Sequence, residues 1–276
     1  MYKKYLIVVS RMDLAGMNIA RQLFQFRDNP FFASMKDGGA GFDVQYCDEV
    51  ILFNSSLDME KIEKYDFIIF ASRHQSEQHR KTLSVHAPGN WTEKAEFGGE
   101  PKRVSRASAL FQKELFETLH KNVKESKLKD FEITMEVTHH GPLLDKPCVF
   151  IEIGSTMEEW NNRTASFVVA KTIADCVKNF KVNKYREVAF GIGGPHYCPD
   201  FNKIQMKSNV AIAHVIPKYA LPLTEEMLRE ALGKTDEEID FAVLNWKGFA
   251  NAEERQQVID ILDKNYIKYK KISEVK

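Results

Sequence analysis

Short apolar runs recur along the whole chain, and they constrain its fold more than any other feature. Each run has five to eight residues and is rich in β-branched and aromatic side chains. The runs cover residues 5–10, 50–54, 67–72, 131–138, 148–154, 187–192, 211–216 and 241–246. Continuous apolar runs of this length are typical of strands that are covered on both faces, as in parallel or mixed sheets.

Segments with helical periodicity lie between these runs, at residues 13–26, 106–125 and 157–180. Two more helices are predicted to begin after Thr224 and Asn251, which are both good N-cap residues. Strands that alternate with helices predict an α/β fold, with a mixed and mostly parallel sheet flanked by helices.

One irregular stretch, residues 86–105, is rich in glycine, proline and charge. A loop of this length inside a compact domain is usually functional or disordered. We therefore treat residues 1–276 as one domain that carries a long active-site loop at about residues 86–105.

Charge and cysteine content exclude several classes of protein. Lysine and arginine together number 39, as do aspartate and glutamate, so a nucleic-acid partner would have to be met by a local basic patch. The first apolar run is too short for a signal-peptide core or a membrane span. The four cysteines form no C-x-x-C pair, which argues against a thiolate zinc finger and a disulfide scaffold. We expect a cytoplasmic protein with no membrane partner.

Histidines are concentrated after the predicted strands. Six of the eight histidines follow a predicted strand: His74, His79, His86, His139, His140 and His196. In open α/β sheets, ligands bind beyond the carboxyl ends of the strands. Imidazole and carboxylate together form the usual ligand set of a catalytic zinc. With Glu152 in the run 148–154, the cluster predicts metal or acid–base chemistry, although any one histidine alone is more simply explained as a strand-end cap.

Two adjacent histidines, His139 and His140, end one predicted strand, and Glu152 lies within the next. Side chains alternate along a strand, so we expect His139 and His140 to point to opposite sides. One would then serve the site directly and the other would support it.

Glycines and basic residues flank the same region. Gly193 and Gly194 follow a strand without P-loop spacing, so they either let the backbone approach a ligand or form a plain turn. Basic residues are concentrated at 72–81 and 100–106, and Trp91 lies between these segments. A cationic rim with an aromatic residue suits a phosphate backbone and a stacked terminal base, whereas most charge runs are only solvated faces.

Several segments, taken together and in order, resemble the archaeal and plant type of D-aminoacyl-tRNA deacylase. The matching pieces are SRHQSEQHRKTLSVHAPGNW (72–91), MEVTHHGP (135–142), FIEIGSTMEEW (150–160), GIGGPHYCP (191–199), HVIPKY (214–219) and NWKG (245–248). The chain departs from the expected pattern at Pro195, before the histidine, and at Cys198, where we expect a small residue.

The resemblance implies a phosphorylase/hydrolase-like α/β fold, similar to peptidyl-tRNA hydrolase and purine nucleoside phosphorylase. It also implies hydrolysis of the ester that joins a D-amino acid to the acceptor end of tRNA, with one or two zinc ions. On this hypothesis, zinc would activate a water and would be held by some of His86, His139, His140, Glu152 and His196.

Further roles are hypotheses of the same kind. His74 would transfer a proton or, together with Arg73, bind the terminal phosphate. Backbone N–H groups would stabilise the oxyanion. The predicted substrate and tRNA contacts are Arg73, Ser76, Gly154, Ser155, Gly193, Gly194, Tyr197, Lys102 and Arg103.

Three alternatives remain open at the level of sequence. The first is a metal-free esterase like peptidyl-tRNA hydrolase, with His139 or His196 as general base. The second is a nucleoside phosphorylase-like enzyme, and the third is a tRNA-binding protein without catalytic activity. The sequence is compatible with a monomer and with a homodimer.

Overall fold

The computed structural model describes residues 2–27, 41–183 and 186–276. Within these ranges the strands are β1 (Lys4–Ser10), β2 (Gly41–Cys47), β3 (Phe67–Gln75), β4 (Thr82–His86), β5 (Glu132–Met135), β6 (Cys148–Ser155), β7 (Glu187–Gly194), β8 (Val210–Pro217), β9 (Phe241–Leu244) and β10 (Tyr269–Lys271). The α-helices are α1 (Leu14–Arg27), α2 (Met59–Ile62), α3 (Ala109–Glu125), α4 (Met157–Trp160), α5 (Arg163–Asn179), α6 (Pro199–Lys207), α7 (Glu225–Gly233) and α8 (Ala252–Lys264).

The strands form two sheets. The large sheet has the order β2-β1-β3-β6-β4-β5, and all its neighbouring strands are parallel except β4 and β6. The small sheet has the order β10-β9-β7-β8 and is parallel throughout. Every residue of the central strand β6 is buried, as expected for an apolar run covered on both faces. The predicted mixed, mostly parallel sheet flanked by helices is confirmed.

The two sheets meet along a seam that carries the segment after β5. One hydrophobic core takes Ile69 from the large sheet and Ala213 from the small sheet. Across the seam, the N–H of Val137 donates to the carbonyl of His196 at 2.9 Å, and the N–H of Thr138 donates to that of Val215 at 3.0 Å. The residues before and after Val137 are thereby fixed between the sheets. We propose that residues 1–276 form a single domain.

The prediction of a strand at residues 50–54 was wrong. Residues 51–53 form a turn and bend, and a 3-10 helix follows at Asn54–Ser56. Ile51 is nevertheless buried in a core cluster with Val8 and Phe70 of the large sheet. The apolar run therefore reflects burial of a turn and not strand pairing.

The predicted helices agree with the structure apart from one division. The segment 157–180 is split into α4 and α5, because the side chain of Asn162 caps α5 by accepting from the N–H of Ala165. Thr224 and Asn251 cap α7 and α8, as predicted. No helix in the described ranges is long and apolar enough to cross a membrane.

Candidate active site

A cavity of about 1470 Å³ opens where β3 and β6 end. Many of the predicted site residues line it: Arg73, His74, Ser76, His139, His140, Glu152, Ser155 and His196. The loop at 86–105 borders the same cavity through residues 89–94, 96 and 97. Its placement is fixed by the N–H of Gly89, which donates to the carbonyl of His140 at 2.6 Å.

Glu152 occupies the middle of the large sheet, opposite Ser72 on β3 and Ser84 on β4. The hydroxyl of Ser72 donates to its Oε1 at 2.6 Å, while Oε2 lies 3.5 Å from His86 Nε2 and 3.6 Å from His74 Nδ1. Burial alone would raise the pKa of Glu152, but its contacts with His74 and His86 outweigh burial and hold the pKa well below its usual range. Glu152 is therefore a buried carboxylate ion.

A second buried carboxylate, Glu136, was not predicted from the sequence. It directly follows β5, and its Oε1 lies 3.1 Å from His74 Nδ1. Its Oε2 lies 3.2 Å from His196 Nε2 and 3.4 Å from His139 Nε2. The signal that would have found it is a carboxylate inside an apolar strand, three residues before a histidine, much as Glu152 lies inside β6.

Three histidines share one hydrogen-bonding pattern, in which Nδ1 donates to a backbone carbonyl. His86 donates to Ala87 at 3.2 Å, His139 to Val137 at 2.8 Å and His140 to Gly141 at 2.7 Å. Such a bond fixes the tautomer and leaves the Nε2 lone pair free, as in histidines that bind metals. Candidate ligand atoms of these three residues all lie within 4.8 Å of one another.

His139 and His140 do not point to opposite sides, so the prediction from strand alternation was wrong. Their ring centroids are only 4.3 Å apart, and both residues line the cavity. The physical reason is the backbone of His140, which has a left-handed φ of 45° and so ends the alternation of a strand. Burial and neighbouring histidines lower the pKa of His140 to about 4 and that of His139 well below its usual range, so both rings are neutral at pH 7.

The donor set fits a metal ion. Both oxygens of Glu136 and Nε2 of His86 are buried, and none of them has a hydrogen-bonding partner of normal geometry within the described ranges. Electron-rich atoms thus face each other across gaps of 3 to 4 Å, as between Glu136 Oε2 and His139 Nε2 at 3.4 Å. A shared cation or proton is needed to stabilise such an arrangement. Two further groups combine imidazole nitrogens with carboxylates. One consists of His74, Glu136 and His196, and the other consists of His86, Glu136 and Glu152.

His74 links both carboxylates to Tyr197. Its Nδ1 faces Glu136 and Glu152, and its Nε2 lies 3.0 Å from the hydroxyl of Tyr197. Burial alone would lower the pKa of His74, but the hydrogen bond with Glu152 and the charge of Glu136 outweigh it and raise the pKa to about 10. The ring is therefore an imidazolium ion at neutral pH. Trp160 fixes the backbone of His74, because its Nε1 donates to the His74 carbonyl at 3.1 Å.

Arg73 lies at the mouth of the cavity, next to His74 on β3. Its guanidinium carbon lies 5.1 Å from the ring centroid of Trp160, in a cation–π contact. Its backbone N–H donates to Asp13 Oδ2 at 2.8 Å. The strand and the indole together fix where this positive charge sits.

The remaining predicted residues lie outside the lining of this cavity. Gly193 approaches Asn245 and Gly248, and Gly194 packs against Phe201 and Val215. Gly154 lies beside Thr82 and His74. Lys102 pairs with Glu93 and, at 3.7 Å, with Glu226.

Arg103 pairs with Glu230 at 3.1 Å, so the rim cations of this segment are already neutralised by acids. Tyr197 contacts His74 but lines a neighbouring cavity of about 530 Å³, which also borders His196. Trp91 is only 4% exposed and packs edge-on against His214, so it offers no exposed stacking surface.

A family model, named relatives and a solved structure each match most of the chain. Residues 61–270 match the family model described as D-aminoacyl-tRNA deacylase. The D-aminoacyl-tRNA deacylase of Methanocaldococcus jannaschii is 33% identical over 276 residues, covering 98% of this chain and 100% of the relative. That of Thermococcus kodakarensis is 35% identical over 268 residues, covering 91% of this chain and 93% of the relative. The crystal structure of a conserved protein of unknown function is 31% identical, covers 99% of this chain and 96% of that chain, and superimposes with a TM-score of 0.85.

Proposed function

This chain belongs to the D-aminoacyl-tRNA deacylase family, and we propose that it hydrolyses the ester between a D-amino acid and the terminal ribose of tRNA. The products are free tRNA and a D-amino acid, so the reaction recycles mischarged tRNA. The observation that carries the proposal is the centre of two carboxylates and five histidines at the cavity. The chain also matches relatives named D-aminoacyl-tRNA deacylase over almost their whole length. We propose that the reaction takes place in the cytoplasm, where charged tRNA is used in translation.

We propose zinc as the cofactor, in one or two ions. Nε2 atoms of His86, His139 and His140 offer one group of ligands, and His86 with Glu136 and Glu152 offers an alternative group. Imidazole with carboxylate is the ligand set that zinc commonly takes in hydrolases, and the tautomers are already fixed for it. Zinc in such a site supplies Lewis acidity, which polarises an ester carbonyl and acidifies water.

The chain's own residues have to position a water and manage one proton, because an aminoacyl ester is already an activated acyl group. His196 is placed for the proton: its Nε2 lies 3.2 Å from Glu136 Oε2, and its side chain is 38% exposed. A carboxylate behind a histidine orients the ring and stabilises the imidazolium that forms. In this proposal His196 accepts the proton from the attacking water and returns it to the ribose oxygen as the ester breaks.

The imidazolium of His74 supports the negative charge of the tetrahedral intermediate. It is buried beside the cavity, where a fixed positive charge is worth more than in water. The backbone N–H of Ser155, which lines the cavity, is a further donor in this proposal. Selection of the D form would come from a wall that excludes the L side chain.

The tRNA contacts that we propose are those at the mouth, chiefly Arg73 and Ser76. Arg73 offers a guanidinium for a phosphate, whereas Lys102 and Arg103 are paired with acids and would contribute only by exchanging partners.

Release of free D-tyrosine from D-tyrosyl-tRNA by the purified protein tests the proposal. The competing assay is cleavage of nucleosides in the presence of phosphate. Phosphate-dependent cleavage without release of D-tyrosine would support a phosphorylase, and retention of tRNA without either reaction would support a binding protein.

A further inference from the structure

The cavity has two chemically different walls, which adjoin the carboxylate–histidine centre through different histidines. We call the first the cationic wall, and it consists of Arg73, Met157 and Trp160. We call the second the apolar wall, and it consists of Leu52 and Phe97. An aminoacyl-tRNA end is equally asymmetric, since it joins an anionic nucleotide to an amino-acid side chain.

The cationic wall adjoins the centre through His74. Arg73 precedes His74 on β3, and Trp160 donates to the His74 carbonyl at 3.1 Å. The Arg73 guanidinium lies against the indole at 5.1 Å and forms no ion pair with a carboxylate in the described part of the chain. Its charge is therefore held in place and is available to an anion from outside.

The apolar wall adjoins the centre through His140. The carbonyl of Phe97 accepts the N–H of Gly141, the residue after His140, at 2.9 Å. Leu52 is close by, because a Cβ on Gly98 would lie 1.9 Å from the Leu52 carbonyl oxygen. Phe97 is 66% exposed and lines the cavity, so it presents uncovered apolar surface there.

Charged residues of the neighbouring segment give this wall no net positive charge. Lys94 and Glu96 line the cavity with opposite charges. Glu93 pairs with Lys102, which also approaches Glu226 on α7 at 3.7 Å. Leu52 and Phe97 themselves carry no charge and offer no side-chain donor to a phosphate. This wall is therefore suited to an apolar ligand group.

Resting on the proposed function, we propose that the substrate lies in the cavity in one direction. The phosphate and ribose of the terminal nucleotide lie on the cationic wall, the ester lies over the centre, and the amino-acid side chain lies on the apolar wall. The reverse direction would place the phosphate against Leu52 and Phe97 and would leave the Arg73 guanidinium without an anion. It follows that large apolar and aromatic D side chains are preferred over small ones.

The test uses one tRNA charged in turn with D-tyrosine and D-alanine, so that only the side chain differs. The variants are Phe97→Ala and Arg73→Ala, both at exposed positions where a folding defect is not expected. Matched controls are Phe24→Ala on α1 and Arg229→Ala on α7, which lie outside the cavity lining.

We expect Phe97→Ala to lower kcat/KM for the D-tyrosyl substrate about tenfold or more, and to change that for the D-alanyl substrate less than about twofold. Arg73→Ala should raise KM by the same factor for both substrates, and should reduce the slope of log affinity against log salt by about 0.7, the value for one phosphate on a single strand. Both controls should behave as the unmodified protein.

Equal losses on both substrates from Phe97→Ala, or a side-chain-dependent effect of Arg73→Ala, would overturn the direction while leaving the proposed function intact. Absence of any effect from either variant would overturn it as well. If the unmodified protein released neither D-amino acid, the proposed function would be refuted, and with it the proposed direction of the substrate.

Discussion

Glu136 Oε2 lies 3.4 Å from His139 Nε2, although the other ring nitrogen of His139 donates to the carbonyl of Val137. The proton of this neutral ring is thus on the far side, and a lone pair faces a carboxylate ion. The contact is repulsive unless a cation occupies the space between the two atoms. This pair is the strongest structural argument that the centre is built for a metal ion.

Replacement of Glu136 by glutamine keeps the shape of the side chain and removes its charge. We expect Glu136→Gln to lower both bound metal and D-aminoacyl-tRNA hydrolysis by about 10- to 100-fold, because carboxylates that orient metal-site histidines have effects of this size. Metal analysis and single-turnover deacylation check this. The matched control is Glu132→Gln at the start of β5, where the carboxylate pairs with Arg80 at the surface. Equal activity in both variants would contradict the role of Glu136.

Removal of the metal is expected to abolish hydrolysis while the protein stays folded. The large core does not depend on the centre, and the histidines are held by backbone carbonyls without an ion. Dialysis against a chelator, followed by metal analysis, circular dichroism and the deacylation assay, checks this, and zinc should restore activity. Full activity in protein shown to be metal-free would instead support a metal-free esterase, in which His139 or His196 acts as general base without an ion.

Gly89 is expected to be indispensable for the loop that borders the site. It has a φ of 148°, and a Cβ there would lie 2.4 Å from the Cα of Val104. Gly89→Ala should therefore lower the free energy of unfolding by about 2 kcal/mol or more and should slow hydrolysis, since the Gly89 N–H donates to the His140 carbonyl.

Gly233, the last residue of α7, is the matched control because a Cβ there meets open space. Gly233→Ala should raise the free energy of unfolding by about 0.5 to 1 kcal/mol. Urea unfolding measures both changes, and a Gly89→Ala protein as stable as the Gly233→Ala protein would be a failure of this prediction.

Much of the fold follows from the sequence because its central strands are buried on both faces. Strands β1, β3, β6, β7, β8 and β9 coincide with continuous apolar runs. By contrast, β2 lies at an edge and is mostly half-buried, and β4 carries the polar Thr82, Ser84 and His86. Neither has an apolar run like those that predicted the central strands, and the short strand β10 was not predicted either. The residues 50–54 show the converse error, since burial of a turn can produce an apolar run.

The site was only partly predictable for a related reason. Histidines and Glu152 were found because they are unusual at strand ends and inside apolar strands. Glu136 was missed because alternation along a strand allows a solvent-facing carboxylate at that position. Its burial depends on the seam between the two sheets, where Val137 bonds to His196, and that contact is set by the tertiary fold.

Acid is expected to destabilise the protein partly through His214. Burial lowers the pKa of this histidine to about 4, against about 6.5 in an unfolded chain. Between these two values the unfolded state binds a proton that the folded state does not, so stability falls as the pH falls from about 6.5 to about 4. In His214→Gln this slope should be shallower by up to about 1.4 kcal/mol per pH unit. Urea unfolding of metal-free protein from pH 4 to 7 checks this, and an unchanged slope would refute it.

The central claim is chiral hydrolysis of aminoacyl-tRNA, and paired deacylation of D- and L-tyrosyl-tRNA by the zinc-loaded protein tests it most directly. We predict rapid release of D-tyrosine and release of L-tyrosine at least about 100-fold slower, because a wall that excludes one enantiomer leaves its ester away from the centre. Equal rates for the two esters, or no release of either, would contradict the account.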